Sequence, residues 1–479
     1  MASPATLPAI LLGRDGFQEA DITGIDADHR CYLVMKTSGS PPPFVRPSTS
    51  PAPAAPARSG GHSQRDVFIE EAEFHWPETV SLRGYKPTMQ GHMGQIKRAA
   101  RLIDEKGEEA GAGRPGGDLV SAERELVALA EKAQIPVMTT YLGLGAFPED
   151  HVLALGFMGM HGAYHCNITA NEADVVIGLG MRFDDRAMGR FADFNPTARV
   201  IHIDIDPAEI GKNIKTEVPI VGDAKQVLEA LLPEIKQNNH VEWLRWIDNL
   251  RAEHPSFELP ETEDMSAQHA IRAIYEACRG EAIVVTGVGQ HQMWAGQHWT
   301  YTRPRQLISS GGLGTMGFET PAALGAQMAC PDRLVWAICG DGGFQMTMQE
   351  LATIVDQKAP IKIGIMNNRF LGMIRQWQEL FYDNNLVSSD LARDICQPDF
   401  MKIAEAYGIK GIRVEERSRM RAAIDEANAH PGPVLVEFRV MLEENVWPMV
   451  PAGASLAETI EDPARVEARA RKQQPVAGD

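Results

Sequence analysis

The 479-residue chain is long enough for two or three domains, each able to bury its own core. With 44% hydrophobic and 23% charged residues it has the balance of a soluble protein, and a net charge of −18 works against nonspecific binding to nucleic acid or to an anionic membrane. Six scattered cysteines (Cys31, Cys166, Cys278, Cys330, Cys339, Cys396) contain no C-x-x-C pair, which points to a reducing compartment and away from a zinc centre.

The apolar start, Met1 to Leu12, lacks a basic segment and runs directly into Gly13-Arg-Asp-Gly, a poor match to a secretion signal. No apolar run approaches the length of a membrane span, so a cytoplasmic protein is expected. Residues 37–66 carry Pro41-Pro-Pro43 and a Pro/Ala/Ser run from Pro47 to Pro56, and read as a disordered linker.

Further along, Ile96 to Ile103 has helical spacing, Glu105 to Asp118 is polar and glycine-rich, and Leu119 to Ala133 is again helical. Ile135 to Thr140, Val175 to Gly180 and Val200 to Asp204 are short apolar strands. The alternation predicts a Rossmann-like α/β domain ending near Ile235. A charged helix, Val241 to His254, leads to a last domain. Its predicted strands are Ile283 to Thr286, Gln306 to Ser309, Leu334 to Cys339, Ile361 to Met366 and Val434 to Phe438.

The most informative pattern lies in that last domain. Leu334 to Cys339 is followed by Gly340-Asp341-Gly342-Gly343, a predicted helix from Gln345 to Gln357, the strand ending at Met366, and Asn367-Asn368. Strand, glycine-rich turn, helix and strand predict a right-handed crossover whose loops share one edge of a parallel sheet, where ligands bind. Asp341 and Asn368 then end neighbouring strands, so a carboxylate and an amide oxygen converge on one hard cation such as Mg²⁺. The bland alternative is a Gly-Asp-Gly turn and an unconnected Asn-Asn loop; the spacing of the pair within this unit favours the site.

With these residues in view the chain resembles the catalytic subunit of acetohydroxyacid synthase (acetolactate synthase), a thiamin-diphosphate enzyme. The likeness runs from Ile135 to the C-terminus through Gly143-Leu-Gly-Ala-Phe-Pro148, Gly159-Met-His-Gly162, Arg182-Phe-Asp-Asp-Arg186, His202 to Asn213, Gly287 to Trp294, Ser309 to Gly314 and Glu443 to Pro451. It implies an α/β fold of two Rossmann-like parallel-sheet domains, an FAD-type middle domain and a thiamin-diphosphate-binding C-terminal domain, after a short remnant of a third. The implied division is a pyrimidine-binding remnant at 1–36, the linker at 37–70, the FAD-type domain at 71–236, a connecting helix at 237–261, the diphosphate domain at 262–455 and a tail at 456–479. The implied reaction decarboxylates pyruvate on the cofactor and joins the remainder to a second 2-oxo acid, pyruvate or 2-oxobutyrate, in valine, leucine and isoleucine biosynthesis.

By resemblance, Asp341, Asn368 and the backbone oxygen of Phe370 would bind Mg²⁺. Val288, Gly289, Gln290, His291, Gly314, Met316, Gly340, Gly342, Gly343, Asn368, Leu371, Gly372 and Met373 would hold thiamin diphosphate, with Met316 wedging it into its bent form. Phe17, Gln18, Met373, Ile374 and Trp377 would face the substrates. Thr140, Met160, His161, Gly162, Arg182, Asp184, Arg186, Asp204, Ile205 and Asp223 would bind FAD, a structural cofactor in this family; Asp184-Asp185 between two arginines otherwise reads as a solvated ion-pair cluster.

The family's first domain is represented only by Leu11 to Gly24 and Tyr32-Leu-Val34, with His29-Arg-Cys31 altered before the tyrosine. The glutamate that hydrogen-bonds the pyrimidine N1′ has no counterpart in the sequence, so no catalytic acid–base residue is assigned. Losing such a group costs about 10²–10⁴-fold in rate. A catalytically incomplete remnant or interaction module, and a related thiamin-diphosphate carboligase, are therefore carried as alternatives. The expected partners are small 2-oxo acids, further copies in a dimer or tetramer or a full-length paralogue, and a regulatory small subunit, with neither nucleic acid nor membrane.

Overall fold

The computed structural model describes residues 17–25, 31–37, 88–106, 110–114, 122–392 and 397–473. The expected linker, apart from Thr37, and the expected start of the middle domain lie outside them. Two compact units are present, Met1–Lys86 and Pro87–Asp479. In the first, β1 (Phe17–Ile25) and β2 (Cys31–Thr37) form an antiparallel hairpin, with Phe17 and Gln18 on β1.

The second unit is built on two six-stranded sheets, both parallel throughout. One contains β3 (Ala110–Arg114), β4 (Val137–Thr139), β5 (Ala154–Phe157), β6 (Val175–Leu179), β7 (Arg199–Asp204) and β8 (Val218–Val221), in the spatial order β5-β4-β3-β6-β7-β8. Numbered within the sheet this is 3-2-1-4-5-6, the dinucleotide-binding order. The other contains β9 (Ile283–Thr286), β10 (Leu307–Ser309), β11 (Val335–Gly340), β12 (Lys362–Asn367), β13 (Lys410–Val414) and β14 (Val434–Arg439), ordered β10-β9-β11-β12-β14-β13. The expected pair of Rossmann-like α/β sheets is what the chain forms.

Continuous apolar runs become strands here because helices cover both faces of each sheet. Alternate residues of one strand point to opposite faces, so each strand feeds two cores. In β6, Val175, Ile177 and Leu179 join the core under the helices Met93–Lys106 and Glu123–Ala133, whereas Val176 packs with Cys166 and Trp243 on the other side. In β11, Trp336 and Ile338 face one core and Val335, Ala337 and Cys339 the other.

The structure corrects the sequence reading at four strands. Ala110-Gly-Ala-Gly-Arg114 is a strand, β3, at the centre of its sheet, although the segment was expected to be polar and glycine-rich without one. Alanine and glycine carry no strand signal; the neighbours β4 and β6 define it. The other three, β5, β8 and β13, are sheet edges with weak apolar patterning; Pro219 in β8 is tolerated there because an edge strand can spare a donor. The helix expected from Gln345 begins instead at Asp341, runs to Thr347, passes through a 3₁₀ turn and resumes at Leu351–Asp356.

The two sheets belong to one unit partly through the loop after β4. Glu149 N donates to Tyr301 O at 3.0 Å, and the Glu149 carboxylate accepts from Tyr301 N at 2.6 Å. Gly145 in the same loop has φ +81°, and a Cβ there would overlap the carbonyl oxygen of Arg303. Gly145→Ala is therefore expected to destabilise the protein by at least about 2 kcal/mol, from left-handed backbone strain and loss of this close approach. Chemical denaturation checks it; an unchanged midpoint would show that the loop does not need glycine.

Candidate functional site

In the second sheet β9 lies between β10 and β11, and the crossovers from β9 to β10 and from β10 to β11 run on opposite faces. Helix Gln290–His298 packs Trp294 and Ala295 into one core, and helix Glu319–Ala329 packs Ala323 and Ala326 into the other. In an open parallel sheet such diverging crossovers mark a switch point, whose crevice lies outside the carboxyl ends of the strands, here β9 and β11. It is here that the expected cofactor residues meet.

The register pairs Gly340 of β11 with Met366 of β12, which places Asp341 and Asn367-Asn368 side by side at the carboxyl ends of the strands. Asp341 is 1% exposed; its Oδ1 accepts from Gly342 N at 3.0 Å and its Oδ2 from Gln397 Nε2 at 2.8 Å. Burial pushes its carboxyl up to about 7, against the lowering pull of those donors. Asn368 Oδ1 accepts from Phe370 N at 3.1 Å, and its Nδ2 donates to Gln290 Oε1 at 3.4 Å. A desolvated carboxylate with no cation beside an amide oxygen and a backbone turn is a donor set that fits a hard divalent ion.

The glycines around these residues are close approaches rather than mere flexibility. A Cβ on Gly340 would fall 2.9 Å from His291 Cε1, and one on Gly342 would fall 2.7 Å from Leu371 and 3.7 Å from Met316 Cε. A Cβ on Gly372 would overlap Gln290 Oε1. Thus Gln290, His291, Gly340, Gly342, Met316, Asn368, Leu371 and Gly372 crowd one small volume. His291 is buried, its pKa is lowered to about 3 by desolvation, and its Nε2 has no partner. A buried, neutral imidazole with an unpaired nitrogen beside a glycine turn fits a phosphate oxygen as ligand. Val288 and Gly289 lead from β9 into the same helix, and Gly314 sits in the exposed loop before Met316 with φ +67°.

Helix Gly372–Phe381 carries Met373, Ile374 and Trp377, and Met373 packs against the core that includes Trp336 and Ile338 of β11. Ile374 is 45% exposed, and Trp377 packs edge-on against Phe381 at 5.4 Å. Arg375 and Gln376 point inward; Gln376 Oε1 accepts from Gln290 Nε2 at 3.0 Å, fixing that amide. Phe17 and Gln18 belong to the other unit, and their side chains are outside the described residues.

Two functional candidates escaped the sequence reading. Gln397 bridges Asp341 to Asn367, donating to Asn367 Oδ1 at 3.1 Å and accepting from Asn367 Nδ2 at 3.1 Å. Glu437, fully buried in β14, accepts from Asn367 Nδ2 at 2.6 Å and pairs with Arg413 at 2.7 Å and Arg439 at 2.6 Å. The available signal was a lone carboxylate inside the apolar run Val434 to Phe438, since a buried charge needs partners. Nothing in the sequence marks Gln397.

In the first sheet the parallel strands gather the expected FAD residues at one edge. Thr140 follows β4; Met160, His161 and Gly162 follow β5; Arg182, Asp184 and Arg186 follow β6; Asp204 ends β7 and Ile205 follows it; Asp223 follows β8. Met160 N donates to Arg186 O at 2.8 Å, Arg182 pairs with Asp184 at 3.0 Å, and Gly222 N donates to Asp204 O at 2.9 Å, beside Asp223. Asp184 and Asp223 both cap helices. Burial pushes the Asp204 carboxyl up to about 6 and holds His161 neutral, its pKa lowered to about 4. Thr140 Oγ1 and His161 Nδ1 are buried without partners. Unpaired polar atoms along the carboxyl edge of a nucleotide-type sheet fit a polar ligand laid across it. The loop after β3, where such a ligand would meet backbone amides, lies outside the described residues.

Among the described residues no helix is long and apolar enough to cross a membrane. Residues 287–438 match the family model of the thiamine pyrophosphate enzyme C-terminal TPP binding domain, and residues 97–231 that of the thiamine pyrophosphate enzyme central domain. Over 463 residues the chain is 43% identical to the acetolactate synthase of Mycobacterium leprae, spanning 93% of this chain and 73% of that protein. It is 41% identical over 461 residues to the acetolactate synthase large subunit of Corynebacterium glutamicum, with 93% and 73% covered. It is 37% identical over 468 residues to the acetolactate synthase isozyme 3 large subunit of Escherichia coli, with 94% and 80% covered.

Proposed function

The chain belongs to the acetolactate synthase large-subunit family of thiamine pyrophosphate enzymes, and we propose that the crevice between β9 and β11 is where it holds that cofactor. As an enzyme of this family it removes carbon dioxide from one pyruvate and joins the two-carbon remainder to a second 2-oxo acid. Bound thiamin diphosphate supplies the electron sink for both bond changes. The protein's share is positioning, proton control and exclusion of water.

In this reading Asp341, Asn368 and the Phe370 backbone oxygen hold Mg²⁺, which neutralises the diphosphate and relieves the desolvated carboxylate of Asp341. Gly342 and Gly343 meet the diphosphate through backbone N–H groups, and Gln290 and the unpaired Nε2 of His291 serve it from the loop after β9. Being neutral, His291 contributes a hydrogen bond rather than a charge. Met316 supports the ring system beside Gly314. Met373, Ile374 and Trp377 shape the entry for the acceptor acid, and Phe17 and Gln18 are assigned to substrate by their motif alone. FAD lies along the carboxyl edge of the first sheet, on Asp204, Arg182, Asp184 and the unpaired Thr140 and His161. Domain limits at 71–236 and 262–455, with the helix between them as connector, complete the assignment. Since the Corynebacterium and Escherichia relatives bear the name large subunit, a homo-oligomer with a smaller regulatory partner is the proposed assembly.

The observation that carries this reading is the buried Asp341 carboxylate beside Asn368 at a sheet switch point, with no Lys, Arg or His among the described residues paired with it. The test is acetolactate formation from pyruvate with Mg²⁺, thiamin diphosphate and FAD, by the chain alone and mixed with a full-length homologue. Product that requires both Mg²⁺ and thiamin diphosphate is expected. No contribution to product under either condition would overturn the reading.

A further inference from the structure

Among the described residues, Glu319 is a fully buried acidic side chain against the cofactor crevice that the proposed chemistry leaves unused. It opens the helix Glu319–Ala329, is fully buried, and neither carboxyl oxygen has a hydrogen-bond partner. The carboxyl is wedged between the two backbone turns that form the crevice. A Cβ on Gly287, past the end of β9, would overlap Glu319 Oε2, and a Cβ on Gly343, in the glycine turn after β11, would fall 2.8 Å from Glu319 Oε1.

Its surroundings offer no counter-charge. The amides of Gly317 and of Glu319 itself lie near enough to favour the charged form, yet burial dominates and raises its pKa to about 7. The titratable neighbour is Cys339 of β11, whose thiol burial pushes well above its ordinary range and keeps neutral. Thr320, also buried, has an unpaired Oγ1. No Lys, Arg or His among the described residues pairs with Glu319. An ionised carboxylate held against a turn that receives a diphosphate would face like charge at short range, in a medium that screens poorly.

We propose that Glu319 is the proton acceptor of the anion cradle: binding of the diphosphate draws one proton from solvent onto its carboxyl, which then serves the crevice as a neutral acid. This rests on the assignment of Gly342 and Gly343 as the diphosphate turn. No covalent bond forms or breaks; the proton comes from the buffer and returns to it when the cofactor leaves. Thiamin diphosphate binding by this chain is therefore opposed by rising pH, through a residue that neither ligates the metal nor takes part in the reaction.

Calorimetric titration of the purified chain with thiamin diphosphate in saturating Mg²⁺ at pH 8, in two buffers of different ionisation heat, reads the protons taken up. Because Asp341 and the cofactor also titrate, the informative quantity is the difference between wild type and Glu319→Gln, which keeps the volume and removes the acid. Wild type is expected to take up about one proton more per site, and relative to the variant its affinity should fall with rising pH between pH 7 and 9, approaching about tenfold per pH unit above pH 8. Glu319→Ala carries the same expectation if the amide does not fold. Equal proton counts in variant and wild type, or a ratio of wild-type to variant affinity that stays flat over that range, would overturn the role of Glu319 while leaving the cofactor site standing. Absence of binding by wild type would instead overturn the site assignment itself.

Discussion

Asp341→Ala is expected to weaken Mg²⁺-dependent thiamin diphosphate binding by more than about 100-fold, since outer-shell partners alone are worth about 10–100-fold in metal affinity. The same substitution should leave the ligand-free protein no less stable at pH 8. Burial raises the Asp341 carboxyl to about 7 in the fold, above its ordinary value, so the folded state binds its proton more tightly than the unfolded chain. That contribution to stability is full below the ordinary carboxylate range and is lost as pH rises through about 7. At pH 8 the carboxylate is a buried charge served by neutral donors, chiefly Gly342 N and Gln397 Nε2. Titration calorimetry and thermal melting separate the two effects. Undiminished affinity in the alanine variant would refute the metal assignment.

Glu437→Ala acts through a different route. From β14 its carboxylate holds Asn367 of β12, Arg413 of β13 and Arg439 together, and its loss removes the acceptor of Arg439 and leaves Asn367 with Gln397 and Arg413 with Asp399 as their remaining partners. Breaking a buried charge cluster costs about 3–5 kcal/mol; the arginine side chains, 29% and 34% exposed, regain some hydration, which places the loss near the lower end. Urea denaturation at pH 7 reads this directly. Because Asn367 and Gln397 connect Glu437 to Asp341, Mg²⁺ affinity should fall by about tenfold in the same variant. Full stability with altered metal affinity, or the reverse, would mean that the chain of amides does not transmit the disturbance.

The parts of the fold legible in the sequence are those that burial writes plainly. β6, β7, β11 and β12 are dominated by apolar residues because both faces of a parallel strand are covered. β3 was invisible for the opposite reason: Ala-Gly-Ala-Gly has no side chains to declare a core, and its strand character comes from the backbones beside it. Edge strands such as β8 and β13 bury one flank only, which weakens their pattern. At the site, Asp341 and Asn368 stood out through spacing within a strand–turn–helix–strand unit, without any appeal to likeness. The residues along the first sheet edge, from Thr140 to Asp223, were reached only through motif resemblance, because their chemistry alone (an aspartate capping a helix, an arginine paired nearby) is ordinary surface behaviour. Gln397 left no trace at all, since an amide acquires meaning only from what it bridges.

The pairing of Gly340 with Met366 has a consequence for how this site tolerates change. The two metal-side residues are separated in sequence by a helix, a 3₁₀ turn, a second helix and a loop, yet their spacing is set by ladder hydrogen bonds between two central strands. Lengthening the surface connection around Lys358 therefore leaves the interval between Asp341 and Asn368 untouched. Deleting one residue within β12 inverts the facing of every later position and turns Asn368 away. The crevice is thus indifferent to length and governed by parity.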